Sequence, residues 1–180
     1  MCQHCNFKTT RRVKGYLRAM DIHYAQAVAG YAVEHFLKDK TFDAVAYSGH
    51  SGALVAPLIA GLMSKDLILV RKSDDDSHSD NSVEASRRGV KSYIIVDDFM
   101  SSGRTVERIA KSVRYYLPRA KLVGIYEYMC NSYLSGVKNN SAWYDVNTSA
   151  SIWNRRGLDE DCCSVIRQYL KQPSGRKVKY

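Results

Sequence analysis

The sequence predicts an α/β fold, a three-layer doubly wound arrangement with a mainly parallel central sheet. Three observations carry this expectation. Short strand-like runs alternate with helix-like segments along most of the chain. The strand-like runs are apolar at nearly every position, as strands covered on both faces are. Two of them end in turns of glycine and small hydroxyl residues, and open α/β sheets take up ligands outside the carboxyl ends of their strands.

From Asp21 to Leu37, Tyr24, Ala27, Val28, Tyr31, Ala32 and Phe36 recur at three- and four-residue steps. That spacing predicts an amphipathic helix, with Asp21 as its cap. A strand is expected over Phe42 to Tyr47, then the turn Ser48-Gly49-His50-Ser51-Gly52, then a helix of small apolar residues over about Ala53 to Met63. Asp66 to Val70 reads as a second strand. Residues 73 to 90 interrupt the rhythm, with no face to bury, and are expected to be a mobile loop or an exposed excursion. A strand over Ser92 to Val96, a helix from about Thr105 to Leu117 stopped by Pro118, and a strand over Leu122 to Tyr128 complete the core. Residues 131 to 157 read as short strands or a loop, and Asp159 to Leu170 as a final helix.

A chain of 180 residues is large enough to bury a core and is expected to form one domain over 1–180. The core spans about 20–130, a small hood comes from the N-terminal or C-terminal segments or both, and a basic tail covers 172–180. The net charge of +9 favours anionic partners, without separating nucleotides from nucleic acid. Much of that charge lies in Lys8, Arg11, Arg12, Lys14, Arg176, Lys177 and Lys179, where solvated ends are the plainer expectation. The first twenty residues hold no continuous apolar core, and Leu54 to Met63 is too short to span a bilayer. A cytoplasmic protein with no membrane partner is therefore expected. Its five cysteines are then reduced thiols. Cys2, His4 and Cys5 invite a zinc site with Cys162 and Cys163, but the adjacent second pair lacks ligand spacing.

The chemistry concentrates in Asp97 and Asp98 and in the run that follows them. Gly103 permits a turn whose N–H groups converge, and a helix beginning near Thr105 adds its positive end, which together make an anion nest. Ser101, Ser102 and Thr105 add hydroxyls, and Arg104 adds charge. Consecutive side chains of an extended segment point opposite ways, so the two acids are expected to play different roles. One would accept hydrogen bonds from vicinal sugar hydroxyls while the other holds the loop or a metal-bound water. Alternatively, both cap the next helix.

The run Val96-Asp97-Asp98-Phe99-Met100-Ser101-Ser102-Gly103-Arg104-Thr105 resembles the signature with which type I phosphoribosyltransferases bind phosphoribosyl pyrophosphate (PRPP). That signature has two acids, three variable positions, Thr or Ser, Gly, any residue, and Thr or Ser. The resemblance implies that Asp97 and Asp98 face the ribose hydroxyls and that Ser101, Ser102, Gly103, Arg104 and Thr105 hold the 5′-phosphate. "VAYSGHSGALVAPLIAG" resembles the family's first strand, pyrophosphate loop and helix, implying that Ser48, Gly49, His50, Ser51 and Gly52 bind pyrophosphate through their amides. "LILVRK" resembles the second strand of the orotate and adenine branches, implying that Arg71 and Lys72 face the pyrophosphate. Residues 73–90 fall where the family carries a flexible catalytic loop. The resemblance further implies Mg²⁺ bound through PRPP, near Asp97 and Asp98, with PRPP and a nitrogenous base as partners and a homodimer as the assembly.

Two departures stand out. The loop carries Asp74, Asp75, Asp76 and Asp80 where many relatives are basic, a repulsion that Mg²⁺ or Arg87 and Arg88 would have to offset. Only His78 lies in that loop where a catalytic proton donor could swing in, although a lone loop histidine is more plainly structural or idle. Ser101 replaces the acid usual in 6-oxopurine enzymes, which disfavours hypoxanthine and guanine. A PRPP-dependent transferase is the leading expectation. Behind it stand a non-catalytic PRPP or nucleotide sensor that binds nucleic acid through its basic surface, and a nucleotide-sugar or ribose-phosphate hydrolase. Tyr126, Tyr128, Trp143 and Trp153 would suit base stacking, but core packing is the plainer expectation for each.

Overall fold

The structure, a computed structural model, describes residues 20–72, 81–100, 103–128 and 141–146. The helix α1 (Ile22–Ala32) starts where expected, because the Asp21 carboxylate accepts from the His23 and Tyr24 N–H groups at 2.9 and 3.4 Å. It continues as a π-helical stretch, Val33–Leu37, and leads into β1 (Ala44–Tyr47), α2 (Gly49–Leu62) and β2 (Asp66–Val70). Then come β3 (Val83–Ala85), β4 (Ser92–Asp97), α3 (Arg104–Tyr116), β5 (Lys121–Glu127) and β6 (Ala142–Asp145). The sheet order is β3-β2-β1-β4-β5-β6. The four inner strands run parallel, while β3 and β6 close the edges antiparallel.

Side-chain alternation divides the sheet into two apolar faces. Val45, Ile94, Val96 and Tyr126 pack with Ala25, Ala29 and Ala32 of α1 and Val55, Ala56 and Ile59 of α2. Ala44, Ala46, Tyr93, Ile95 and Ile125 point the other way, onto Val106, Ile109, Ala110 and Val113 of α3. Those four α3 residues follow the i, i+3, i+4, i+7 rule, so one stripe meets the sheet and the polar remainder meets water. The predicted three layers and mainly parallel sheet are therefore present.

Three expectations are corrected. The helix predicted from Ala53 begins at Gly49, so most of the 48–52 turn is the first turn of α2; Ser48 is extended, and Gly49 takes a φ of +68° that turns the chain straight into the helix. The stretch 73–90 is not without buried residues. Its second half supplies the edge strand β3, on which Val83 packs against the core, and Val90 beyond it is buried. Arg71 N–H donates to Ser82 C=O at 2.9 Å and Ser86 N–H to Leu67 C=O at 3.0 Å, so this pairing runs the length of β2. Arg87 then pairs with Asp66 at the amino end of β2. It thus lies at the end of the sheet opposite Asp97, where it offsets no charge near that residue. In the 131–157 stretch, left open between strands and loop, residues 142–145 are a strand. The expected Asp159–Leu170 helix, the basic tail and the cysteines lie outside the described residues. Among the described residues, no helix is long and apolar enough to cross a membrane.

The β5–β6 edge is tightly specified. Trp143 lies across Gly124, where a Cβ would sit 2.3 Å from its ring and 2.8 Å from the Tyr144 carbonyl oxygen. Gly124→Ala is expected to destabilise the protein by roughly 1–3 kcal/mol through overpacking. A Gly124→Ala/Trp143→Leu double variant should recover only part of this, since the carbonyl contact remains. Chemical denaturation of the three proteins measures both effects.

Candidate functional site

The carboxyl ends of β1 and β4 meet the first turns of α2 and α3 around a cavity of about 220 Å³. Ser48, Gly49 and Ser51 line it from the start of α2, and Lys72 reaches it from beyond the end of β2. Asp97 to Met100 line it from the end of β4, and Gly103 to Val106 with Arg108 from the start of α3. Neither helix carries a side-chain cap, so the N–H groups of both first turns lack the usual internal acceptor. Gly103, at φ +71°, makes the sharp entry into α3 that a residue with a Cβ resists. The two helices thus bring two partial positive ends to one cavity.

Asp97 and Asp98 are 4% and 7% exposed, an expensive place for two adjacent carboxylates. Burial pushes the Asp97 carboxyl up to about 7, and the charge of Asp98 adds to the effect. The two acids are held differently, as alternation predicts. Asp97 Oδ1 accepts from Ser51 Oγ at 3.2 Å and from the Asp98 N–H at 3.0 Å, which ties it to α2. Asp98 Oδ1 accepts from the Phe99 N–H at 2.9 Å, which shapes the start of the loop. The capping alternative is not what the described contacts show, since both carboxylates bind upstream of α3.

Several expected residues meet in this cavity: Ser48, Gly49, Ser51, Lys72, Asp97, Asp98, Gly103, Arg104 and Thr105. Others do not. His50 is exposed on the outside of α2, and Gly52 is buried one turn into the helix against Tyr47. Arg71 donates to Glu84 Oε1 through Nε at 3.1 Å and Nη2 at 2.6 Å, so β3 supplies it with a carboxylate and it does not line the cavity. Ser101, Ser102 and His78, with the acidic run 74–80, lie outside the described residues. Tyr126 and Tyr128 are buried in the core, and Trp143 packs against it. Trp153 lies outside the described residues.

Three residues that shape this cavity were not expected in these roles. Arg108 lines the cavity, and its signal was the four-residue step from Arg104, which puts both on one helical face. Glu127, 1% exposed at the end of β5, accepts from the Met100 N–H and from Tyr144 Oη at 2.9 Å. It fixes the backbone of the loop after β4. Tyr128 Oη donates to the Ser51 carbonyl at 2.7 Å and so steadies the first turn of α2. No sequence pattern marks these last two, because their roles depend on which strand lies beside β4.

No protein-family model matches the chain, and no curated protein matches it. Solved structures similar to it are phosphoribosyltransferases. An adenine phosphoribosyltransferase from Thermoanaerobacter pseudethanolicus shares 20% identity over 60% of this chain and 67% of its own, with a TM-score of 0.43. The orotate phosphoribosyltransferase of Mycobacterium tuberculosis, in complex with Fe(III) dicitrate, shares 18% over 59% and 61%, with a TM-score of 0.47. A phosphoribosyltransferase from Corynebacterium diphtheriae shares 18% over 59% and 62%, with a TM-score of 0.48. The chain thus spans between 61% and 67% of the length of these three structures.

The raised Asp97 carboxyl sets a pH dependence. Its folded value, about 7, lies above the ordinary 3.8, so between these the folded protein holds a proton that the unfolded chain has released. The stability this group contributes is complete below about pH 4 and is lost as pH rises through about 7. Asp97→Asn should therefore raise the melting temperature by several degrees at pH 8 and leave it nearly unchanged at pH 4. Melting curves of both proteins across that range would show the difference closing as pH falls.

Proposed function

We propose that the chain is a PRPP-dependent phosphoribosyltransferase, joining a nitrogenous base, a pyrimidine such as orotate or a purine, to ribose 5-phosphate with release of pyrophosphate. The observation that carries this reading is the pair Asp97 and Asp98, buried together at the end of β4 and opening into one cavity with two uncapped helix starts. Such a cavity offers acceptors for hydroxyls between two donors for phosphates, which matches a sugar phosphorylated at both ends.

Within it the chain's groups divide the work. Gly103, Arg104 and Thr105 would hold the 5′-phosphate at the start of α3, with Ser101 and Ser102 preceding them in the chain. The Asp97 and Asp98 carboxylates would accept from the ribose hydroxyls. Ser48, Gly49 and Ser51 would hold the diphosphate, with the Lys72 ammonium beside it. As the C1–O bond breaks, its electron pair leaves on the diphosphate and positive charge spreads over the ribose ring. Carboxylates on one side of that ring and cations around the leaving group favour this separation of charge. The base nitrogen then bonds to C1 and gives up its proton to an oxygen of the departing diphosphate.

The residues fit Mg²⁺ as a partner of the diphosphate. Asp97 and Asp98 supply hard oxygen donors at the cavity wall, and among the described residues no third carboxylate or imidazole joins them in a metal cluster. A cation held there would complete its shell with phosphate oxygens and water, as Mg²⁺ does. When bound, Mg²⁺ supplies neutralisation of the departing diphosphate.

A second reading, a non-catalytic PRPP sensor that binds nucleic acid, draws support from the net charge of +9. One pair of measurements separates the two. PRPP with Mg²⁺ at a hundred times its Kd is expected to stabilise the fold by about 2.7 kcal/mol, a rise in melting temperature of roughly 5–10 °C. The Asp97→Asn/Asp98→Asn variant should fold but show no rise. Pyrophosphate release should follow on adding one base from a panel of pyrimidines and purines. Stabilisation without release for any base favours the sensor, and an unchanged rise in the double variant removes the carboxylates from the site.

A further inference from the structure

Among the described residues, Arg108 is the one charged residue lining the cavity to which the reading above gives no task. It lies one turn after Arg104 on α3 and sends its side chain across to the start of α2, where Nη2 donates to Ser48 Oγ at 2.9 Å. Ser48 is 3% exposed and stands at the cap position of α2, yet its hydroxyl makes no bond to its own helix. Arg108 Nε is buried and has no acceptor. Among the described residues Arg108 forms no ion pair. A guanidinium that has lost water at one nitrogen, with a single neutral acceptor at another, is left short of both charge and hydrogen-bond partners.

On the other flank of the same turn, Lys72 runs so close over Gly49 that a Cβ there would sit 3.2 Å from its Cε. The first turn of α2 therefore lies between a cation from the end of β2 and a cation from α3. Lys72 is a compact point charge, whereas the planar fork of Arg108 is shaped to bind two oxygens at once. A monophosphate meets one such group well; two cations on opposite flanks of one turn suit an anion that carries oxygens to both.

We propose that Arg108 is a direct ligand of the diphosphate group, which it grips from the α3 side opposite Lys72, and that its bond to Ser48 Oγ holds the guanidinium in place until that anion arrives. This deepens, and rests on, the PRPP reading. The bond to Ser48 Oγ draws the Arg108 guanidinium towards the start of α2, where the diphosphate would lie, while Gly103 to Thr105 would hold the 5′-phosphate at the start of α3.

Calorimetric titration with inorganic pyrophosphate, ribose 5-phosphate and PRPP, each with Mg²⁺, tests this on the wild type, Arg108→Met and Arg108→Lys. Arg108→Met should weaken pyrophosphate and PRPP at least tenfold while ribose 5-phosphate binds within twofold of wild type. Arg108→Lys, which keeps the charge and loses the fork, should fall between. Retained ribose 5-phosphate binding also shows that the variant is folded. If Arg108→Met loses all three ligands, Arg108→Lys decides: a selective loss of pyrophosphate supports the assignment, and wild-type pyrophosphate affinity overturns it. Pyrophosphate binding unaffected in Arg108→Met, or absent in the wild type, also overturns it. Should Arg108 prove necessary for pyrophosphate while PRPP binds no tighter than pyrophosphate alone, the diphosphate assignment stands and the phosphoribosyl reading fails. Should PRPP bind the wild type tightly and Arg108→Met equally well, the reverse holds.

Discussion

The site depends on a boundary condition at the end of β4. This strand lies between β1 and β5 with its backbone paired on both sides, and Ile94, Ile95 and Val96 are fully buried on its two faces. The chain can meet water only where the strand stops, and it stops at Asp97. Two carboxylates at that point are pulled both ways: solvation draws them outward, while the strand geometry keeps them 4% and 7% exposed. The protein resolves the conflict by surrounding them with donors, from Ser51 on α2 and from the backbone of the following residues. Asp97 accepts two of those bonds and Asp98 one, all on Oδ1, so each acid keeps lone pairs for a ligand. The helix starts of α2 and α3 converge there for the same reason, since parallel strands deliver every crossover helix from one edge.

The electrostatics follow from what neutralises what. Arg71 is matched by Glu84 and Arg87 by Asp66, both through β3. The cations that line the cavity are Lys72 and, on α3, Arg104 and Arg108. A motif that looked basic along β2 has thus moved its weight to the opposite wall. Asp97 near neutrality adds a second adjustment, because its proton can leave when a cation enters the cavity.

Much of this was legible beforehand because parallel strands and amphipathic helices announce themselves over short distances. The run Asp66 to Val70, the stripe Val106, Ile109, Ala110 and Val113, and the cap at Asp21 all follow from local period and chemistry. The acid pair and Gly103 were equally local. β3 and β6 were harder, being three and four residues long in stretches rich in Ser, Asn and charge, so that their pairing comes from the strand alongside. The same limit hid the Arg71–Glu84 pair, which exists only because β3 folds back on β2. Glu127 and Tyr144 acquire a role through register, Tyr144 opposite Ile125 and Glu127 beside Asp97, and no reading of one segment at a time contains that information.

The chain of contacts from Tyr144 to Glu127 to the Met100 N–H joins the outermost strand of the sheet to the loop after β4. Edge strands are where sheets fray, since half of their backbone groups have no strand to bind. The loop after β4 therefore inherits the breathing of β6: each time the edge lifts, the carboxylate loses its phenol and the loop loses an anchor. Residues that never touch a ligand would then set how long the loop stays ready for one, and whatever docks on the β6 edge would govern that interval from outside.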